Sequence, residues 1–206
     1  MTAVKICGIT RIDDGISAAR AGAAAIGLVF YDKSPRHVEL GVARDISRAL
    51  PPFVSAVGLF VNPEREQVEK AIASVHLDLL QFHGDEPESF CSSFRIPYIK
   101  AARVKPGLDL VQYAADYASA KGILLDAFVE GVAGGTGRVF DWSLIPRNLP
   151  LPVILSGGLD PGNVADAIRS VDPWAVDVSS GVESSKGIKD AARIAAFMQG
   201  VRKADV

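Results

Sequence analysis

A single α/β domain spanning residues 1–206, a (β/α)8 barrel of eight parallel strands with outer helices (the TIM-barrel architecture), is predicted by three observations. Short apolar runs alternate with helical patterns along the whole chain, the runs are nearly all apolar, and the last two end in glycine-bearing turns. Apolar runs without polar alternation are what burial on both faces of a parallel sheet demands. The strand candidates are residues 4–7, 25–30, 56–61, 79–82, 98–101, 122–125, 153–155 and 175–178. Between and after them, residues 13–21, 42–50, 64–74, 87–92, 108–117, 142–145, 162–170 and 190–199 carry helical patterns. Eight such units in 206 residues average about 26 each, which suits a lean barrel better than a doubly wound sheet with added domains. No charge run, low-complexity tract or linker divides the chain.

Composition narrows the function classes. With 49% hydrophobic residues the chain can bury a sizeable core. A net charge of −2 gives no basic field, so nucleic-acid partners are not expected. No apolar run approaches membrane-spanning length, and Met1-Thr2-Ala3-Val4-Lys5-Ile6 runs straight into strand-like sequence without a signal pattern, so the expectation is a cytoplasmic protein without membrane contact. Cys7 and Cys91 are the only cysteines, too few for a disulfide scaffold and without zinc-site spacing, and His37, His76 and His83 share no close ligand spacing. No metal is expected. An apolar helix face packs equally well within a barrel shell or against a second copy, which leaves a monomer or a homodimer open.

The turns Ser156-Gly157-Gly158, after Pro152-Val153-Ile154-Leu155, and Ser179-Ser180-Gly181, after Ala175-Val176-Asp177-Val178, point to a phosphorylated small-molecule partner. Small residues expose main-chain N–H groups to an anion, and two such turns after the last two strands are how many (β/α)8 barrels hold a phosphate. Tight turns with no ligand are the plainer alternative.

Chemistry in such a barrel belongs at the carboxyl ends of the strands. The first run ends in Cys7-Gly8, where two readings stand: a small buried hydrophobe, or a thiolate base facing the barrel mouth. The sixth run leads to Asp126, either a brace for the following loop or a carboxyl group able to donate a proton. The loop after it contains Gly134-Gly135-Thr136-Gly137, of which Gly135, Thr136 and Gly137 are candidates for contacting a ligand through main-chain N–H groups. Arg36, in the loop after the second run, either binds a carboxylate through a two-pronged hydrogen bond or lies solvated on the surface. Gln81 and His83 reach the same rim from the fourth run, and His83 either orients substrate or, as the favoured alternative, bonds a loop carbonyl.

Lys5-Ile6-Cys7-Gly8-Ile9-Thr10, Phe30-Tyr31-Asp32-Lys33-Ser34-Pro35-Arg36, Val57-Gly58-Leu59-Phe60-Val61-Asn62, Leu80-Gln81-Phe82-His83-Gly84-Asp85-Glu86, Gly134-Gly135-Thr136-Gly137 and Leu155-Ser156-Gly157-Gly158-Leu159 together resemble the phosphoribosylanthranilate isomerase family of tryptophan synthesis. The likeness runs collinearly to Val178-Ser179-Ser180-Gly181-Val182-Glu183, with small departures at Asp32 and His37 that bear on the lining of the anthranilate pocket. The resemblance implies an aldose–ketose isomerase that carries out an Amadori rearrangement, with Cys7 matching the family's general base and Asp126 its general acid. It further implies that Arg36 faces the anthranilate carboxylate, that Gln81 and His83 belong to the substrate pocket, and that no cofactor is used. Other phosphosugar isomerases or lyases on the same barrel, such as the aminoaldose isomerase of histidine synthesis, and a non-catalytic barrel that binds a phosphorylated metabolite are the competing readings. The histidine-pathway isomerase pairs two aspartates and holds two phosphates, whereas here the first run ends in Cys7 and one phosphate cup is apparent.

Overall fold

The computed structural model describes residues 1–127 and 141–204. Eight parallel strands close into a barrel: β1 (Ala3–Cys7), β2 (Ala25–Val29), β3 (Ser55–Phe60), β4 (Leu79–Phe82), β5 (Tyr98–Val104), β6 (Ile123–Ala127), β7 (Val153–Leu155) and β8 (Ala175–Val178). Each pairs with the next, and β8 returns to pair with β1, where Lys5 stands opposite Asp177. The helices are α1 (Ile12–Ala21), α2 (Leu40–Ala49), α3 (Arg65–Ser74), α4 (Glu88–Cys91), α5 (Leu110–Asp116), α6 (Val164–Val171) and α7 (Ala191–Ala204).

The helices begin and end where local chemistry dictates. Asp109 caps α5 by accepting from the N–H groups of Val111 and Gln112, and Asp190 does the same for α7 at Ala192 and Arg193. Ahead of α3, the Gln67 side chain accepts from the Glu64 N–H. Gly22 closes α1 in a left-handed conformation, φ 102°, a position a side chain would strain.

Two features depart from the sequence expectation. Residues 142–145 form only a single 3₁₀ turn, Trp142–Leu144, because Pro146, Pro150 and Pro152 follow at once and forbid a continuing helix. The segment after β8 folds into a 3₁₀ turn, Ser180–Val182, and a small antiparallel hairpin, β9 (Glu183–Ser185) with β10 (Ile188–Lys189), which the apolar-run pattern does not foreshadow.

The outer shell, between strands and helices, carries the main core, including Ile6, Ile26, Leu80, Phe82 and Phe197. Alternate strand residues turn into the barrel and build layers there. Leu79, Ile99, Ala101, Leu124 and Ile154 form an apolar cluster, and Cys7, Val29 and Leu59 form a second one nearer the carboxyl ends. The strand period places Lys5, Gln81 and Asp177 on the inner face as well, and all three are buried.

A second buried charge pair braces the loop after β4. Lys100 donates to Glu86 Oε2 at 3.1 Å and to the Gly84 carbonyl at 2.6 Å, while Glu86 accepts from the N–H groups of Asn62 and Gly84. The Lys100 ammonium also stands 5.4 Å from the centroid of the Tyr117 ring. Lys100→Met is expected to cost about 3 kcal/mol or more of unfolding free energy, since Glu86 is left charged and buried without its cation. Denaturant unfolding measures it; a loss below about 1 kcal/mol would show that the Asn62 and Gly84 amides suffice to hold Glu86.

Candidate active site at the carboxyl ends of the strands

One cavity opens at the carboxyl ends of the barrel strands, and most of the candidate residues face it. Cys7, Arg36, Gln81, His83 and Asp126 line it together with the turns Ser156, Gly157, Gly158 and Ser179, Ser180. Gly181 does not: it lies behind the second turn, so close to the Leu159 carbonyl that no Cβ fits. Gly135, Thr136 and Gly137 lie outside the described residues.

The two turns are shaped for an anion. Gly157 and Gly158 have φ of 85° and 67°, so their N–H groups face a direction that ordinary residues rarely allow. Asn163 fixes this loop by donating to the Gly158 carbonyl and accepting from the Asp160 N–H. Among the described residues, none accepts a hydrogen bond from the main-chain N–H of Gly157, Gly158, Ser180 or Gly181. Of these, Gly157, Gly158 and Ser180 line the cavity, and main-chain N–H groups without an acceptor among the described residues suit a phosphate without any lysine in the turns.

Asp126 sits within β6 rather than after it, which turns the carboxyl group inward instead of leaving it to cap a loop. Its Oδ1 accepts from the Ala127 N–H at 2.9 Å, and its Oδ2 is 3.1 Å from His83 Nε2. His83 Nδ1 in turn meets the Gln81 amide nitrogen at 2.9 Å. The expected bond from His83 to a loop carbonyl is therefore replaced by two side-chain bonds, because His83 directly follows β4 and stands two residues on from the inward-facing Gln81. Gly157 packs against this group: a Cβ there would stand 2.6 Å from the Ala127 nitrogen and 3.1 Å from Asp126 Oδ1. The Gly157-Gly158 turn and the Asp126 carboxyl group thus come together only because residue 157 has no side chain.

Cys7 sits above the Lys5–Asp177 ion pair, in which Nζ and Oδ1 are 2.9 Å apart. A Cβ on Gly27 would meet both Cys7 Sγ, at 2.8 Å, and Lys5 Nζ, at 3.1 Å, so sulfur and ammonium share one small niche. Burial pushes the Cys7 thiol above its ordinary value; Lys5 and Lys189 oppose that shift and Asp177 adds to it. Burial works against the Lys5 charge, but Asp177 and Cys7 outweigh it and leave the ammonium more firmly protonated than in water. Cys91 is likewise raised, since burial pushes it up to about 12 against the opposing charge of Lys100. It remains an inert thiol of the outer core.

Arg36 is buried, not solvated. Its Nε and Nη2 bond the two carboxylate oxygens of Glu183 at 2.7 and 2.8 Å, so the two-pronged bond expected for a ligand carboxylate is made to the protein itself. Among the described residues, none bonds the Nη1 edge. Lys189 Nζ also reaches Glu183, at 2.8 Å, and donates to the Ser179 carbonyl. Burial opposes the Glu183 charge, yet Arg36 and Lys189 outweigh it and hold the carboxyl below its usual range. Gly8, at φ 76°, admits Arg36 to the mouth, since a Cβ there would meet Arg36 Cδ at 2.5 Å.

Sequence reasoning missed Lys5, Asp177, Glu183 and Lys189. The first two carried a signal, a charged residue inside an apolar run, and Lys5 shares the face of Cys7 two residues on. Glu183 and Lys189 carried none, because they reach the site through the hairpin.

The fold and this cavity define the class: a (β/α)8 barrel whose mouth gathers a thiol, a carboxyl group and two glycine-bearing turns after its seventh and eighth strands. A family model described as N-(5'-phosphoribosyl)anthranilate (PRA) isomerase matches residues 4–200. A protein of that name from Nitrosospira multiformis is 59% identical over 198 residues, covering 96% of this chain and 95% of the relative. Another from Pseudomonas aeruginosa strain LESB58 is 61% identical over 199 residues, covering 97% and 94%. Among solved structures, phosphoribosyl anthranilate isomerase from Thermotoga maritima superposes with a TM-score of 0.91 at 43% identity, covering 98% of this chain and 100% of its own. A structure of such an enzyme in complex with reduced 1-(o-carboxyphenylamino)-1-deoxyribulose 5-phosphate gives 0.88 at 42% identity, with the same coverage. This chain belongs to the N-(5'-phosphoribosyl)anthranilate isomerase family.

Lys5→Met is expected to move alkylation of Cys7 to higher pH. The substitution removes the cation that favours the thiolate and leaves Asp177 to repel it, and both effects raise the thiol further. Iodoacetamide labelling at Cys7, followed by mass spectrometry across a pH series, reads the midpoint; an unmoved midpoint would remove Lys5 from the thiol's surroundings.

Proposed function

We infer that this protein isomerises N-(5'-phosphoribosyl)anthranilate, an aminoaldose, to 1-(2-carboxyphenylamino)-1-deoxyribulose 5-phosphate, an aminoketose, with Asp126 as general acid and Cys7 as general base. The observation that carries the reading is that β1 and β6, which are not neighbours in the barrel, turn Cys7 and Asp126 into one cavity beside the anion cup. Family membership and the product analogue held by a related enzyme support the substrate.

The chemistry follows from the residue types. Asp126 delivers a proton to the furanose ring oxygen as the C1'–O4' bond breaks, and the amine lone pair forms the iminium of a Schiff base. The Cys7 thiolate then removes the C2' proton, and the electrons of that C–H bond neutralise the iminium to give an enolamine. Tautomerisation yields the ketone. The iminium serves as electron sink, so the reaction calls for neither metal nor organic cofactor. The Gly157-Gly158 and Ser179-Ser180 turns hold the phosphate, and the free edge of Arg36 takes the anthranilate carboxylate. Pinning both ends of the substrate keeps C2' between acid and base.

We take the chain as one catalytic domain, which the closed strand order supports. No helix among the described residues is long and apolar enough to cross a membrane, and two cysteines without a disulfide suit the reducing cytoplasm. A Thermotoga maritima relative is described as dimeric, with monomers generated from it, and a monomer or a homodimer suits this chain.

Cys7→Ser and Asp126→Asn should each lower kcat by about 100-fold or more while binding of the reduced product analogue changes little. Arg36→Ala should instead raise KM with a smaller effect on kcat, because its contact is made in the ground state as well. Fluorescence loss of the anthranilate substrate follows all three. Normal turnover in Cys7→Ser or Asp126→Asn would place the proton transfers on other groups.

A further inference from the structure

The wall opposite Cys7 holds a chain of three buried side chains that the acid–base scheme leaves unused beyond Asp126. Gln81 Nε2 lies 2.9 Å from His83 Nδ1, and His83 Nε2 lies 3.1 Å from Asp126 Oδ2. Gln81 is fully buried, and among the described residues its Oε1 has no hydrogen-bond partner. A buried carbonyl without a donor is costly, so an interior glutamine that serves only as packing would be replaced without loss by an apolar residue of its shape.

We propose that Gln81 is a positioning residue for the catalytic acid: its amide N–H holds His83 in the tautomer that carries its proton on Nε2, aimed at Asp126. The inference rests on the assignment of Asp126 as acid. An amide nitrogen only donates, so Nδ1 opposite it is the accepting nitrogen and the ring proton lies on Nε2. That N–H points at Asp126 Oδ2, while the Ala127 N–H occupies Oδ1. As Asp126 gives up its proton to the ring oxygen, negative charge develops between two donors already in place, which is where stabilisation lowers a barrier. Without Gln81, the opposite tautomer would present a lone pair to the developing carboxylate. The other titratable side chains lining the cavity are Cys7, Tyr31, Lys33, Arg36 and Asp177; among the described residues, the His83 ring nitrogens form hydrogen bonds only with Gln81, which donates to Nδ1, and Asp126, which accepts from Nε2.

Gln81→Met keeps the length of the side chain and removes its polar atoms; Gln81→Glu keeps its shape and removes the donated hydrogen. Both are expected to lower kcat about 10-fold or more with KM changed less than about twofold, on the scale seen when an orienting partner is lost. Nitrogen-15 NMR of the ligand-free protein, with His83 assigned by comparison with His83→Asn, should show a protonated-type shift at Nε2 and an accepting-type shift at Nδ1. In Gln81→Met that pattern should give way to a mixture of tautomers. A proton on Nδ1 in the parent protein, or a Gln81→Met variant with unchanged tautomer and unchanged kcat, overturns the proposal. The tautomer is read without turnover, so its failure is distinct from a failure of the Asp126 assignment, which Asp126→Asn reports separately.

Discussion

Closure of the barrel between its first and last strands is the constraint on which the site depends. The β1–β8 pairing sets Lys5 opposite Asp177, and their ion pair spans the seam inside the barrel. An ammonium and a carboxylate in that interior are tolerable only together, since either alone would be a buried uncompensated charge. The same pair acts on Cys7, one strand period further along β1, where burial raises the thiol, Lys5 opposes the rise and Asp177 adds to it. Lys5 therefore takes part both in the seam and in the surroundings of the sulfur above it.

Close approach is the second organising theme. Gly27 leaves room for the Cys7 sulfur and the Lys5 ammonium, Gly8 admits Arg36, and Gly157 lets the turn after β7 meet the end of β6. In each case a Cβ would stand nearer to a neighbour than van der Waals contact permits. A substrate of fixed length can touch an acid, a base and an anion cup only if these elements are packed this tightly. The buried network of Arg36, Glu183 and Lys189 adds rigidity, because each cation holds the carboxylate from a different element.

The strands were legible because burial on both faces of a parallel sheet selects continuous apolar runs, and those of β4, β7 and β8 agree with the structure to the residue. The helix expected at residues 142–145 misled because a short amphipathic pattern outweighed the prolines that follow it. Asp126 stood out as a lone acid closing an apolar run. The same argument applied equally to Asp177 and Lys5, but their partnership links residues 172 positions apart and no local pattern encodes it. The role of Arg36 was half visible: its loop marked it, while the carboxylate that holds it arrives from a hairpin with no periodic signature.

The sequence by itself determined the eightfold strand–helix succession and the two glycine-bearing turns, and marked the sulfur and the carboxyl group that end apolar runs, because hydrophobic periodicity and backbone permissiveness are local properties of the chain. Only the tertiary structure decided which charges neutralise one another, which way His83 faces and which edge of Arg36 stays free. Those outcomes depend on distances between groups remote in sequence, and the strength of an electrostatic or hydrogen-bonding contact is fixed by separation and burial, which no single stretch of residues contains.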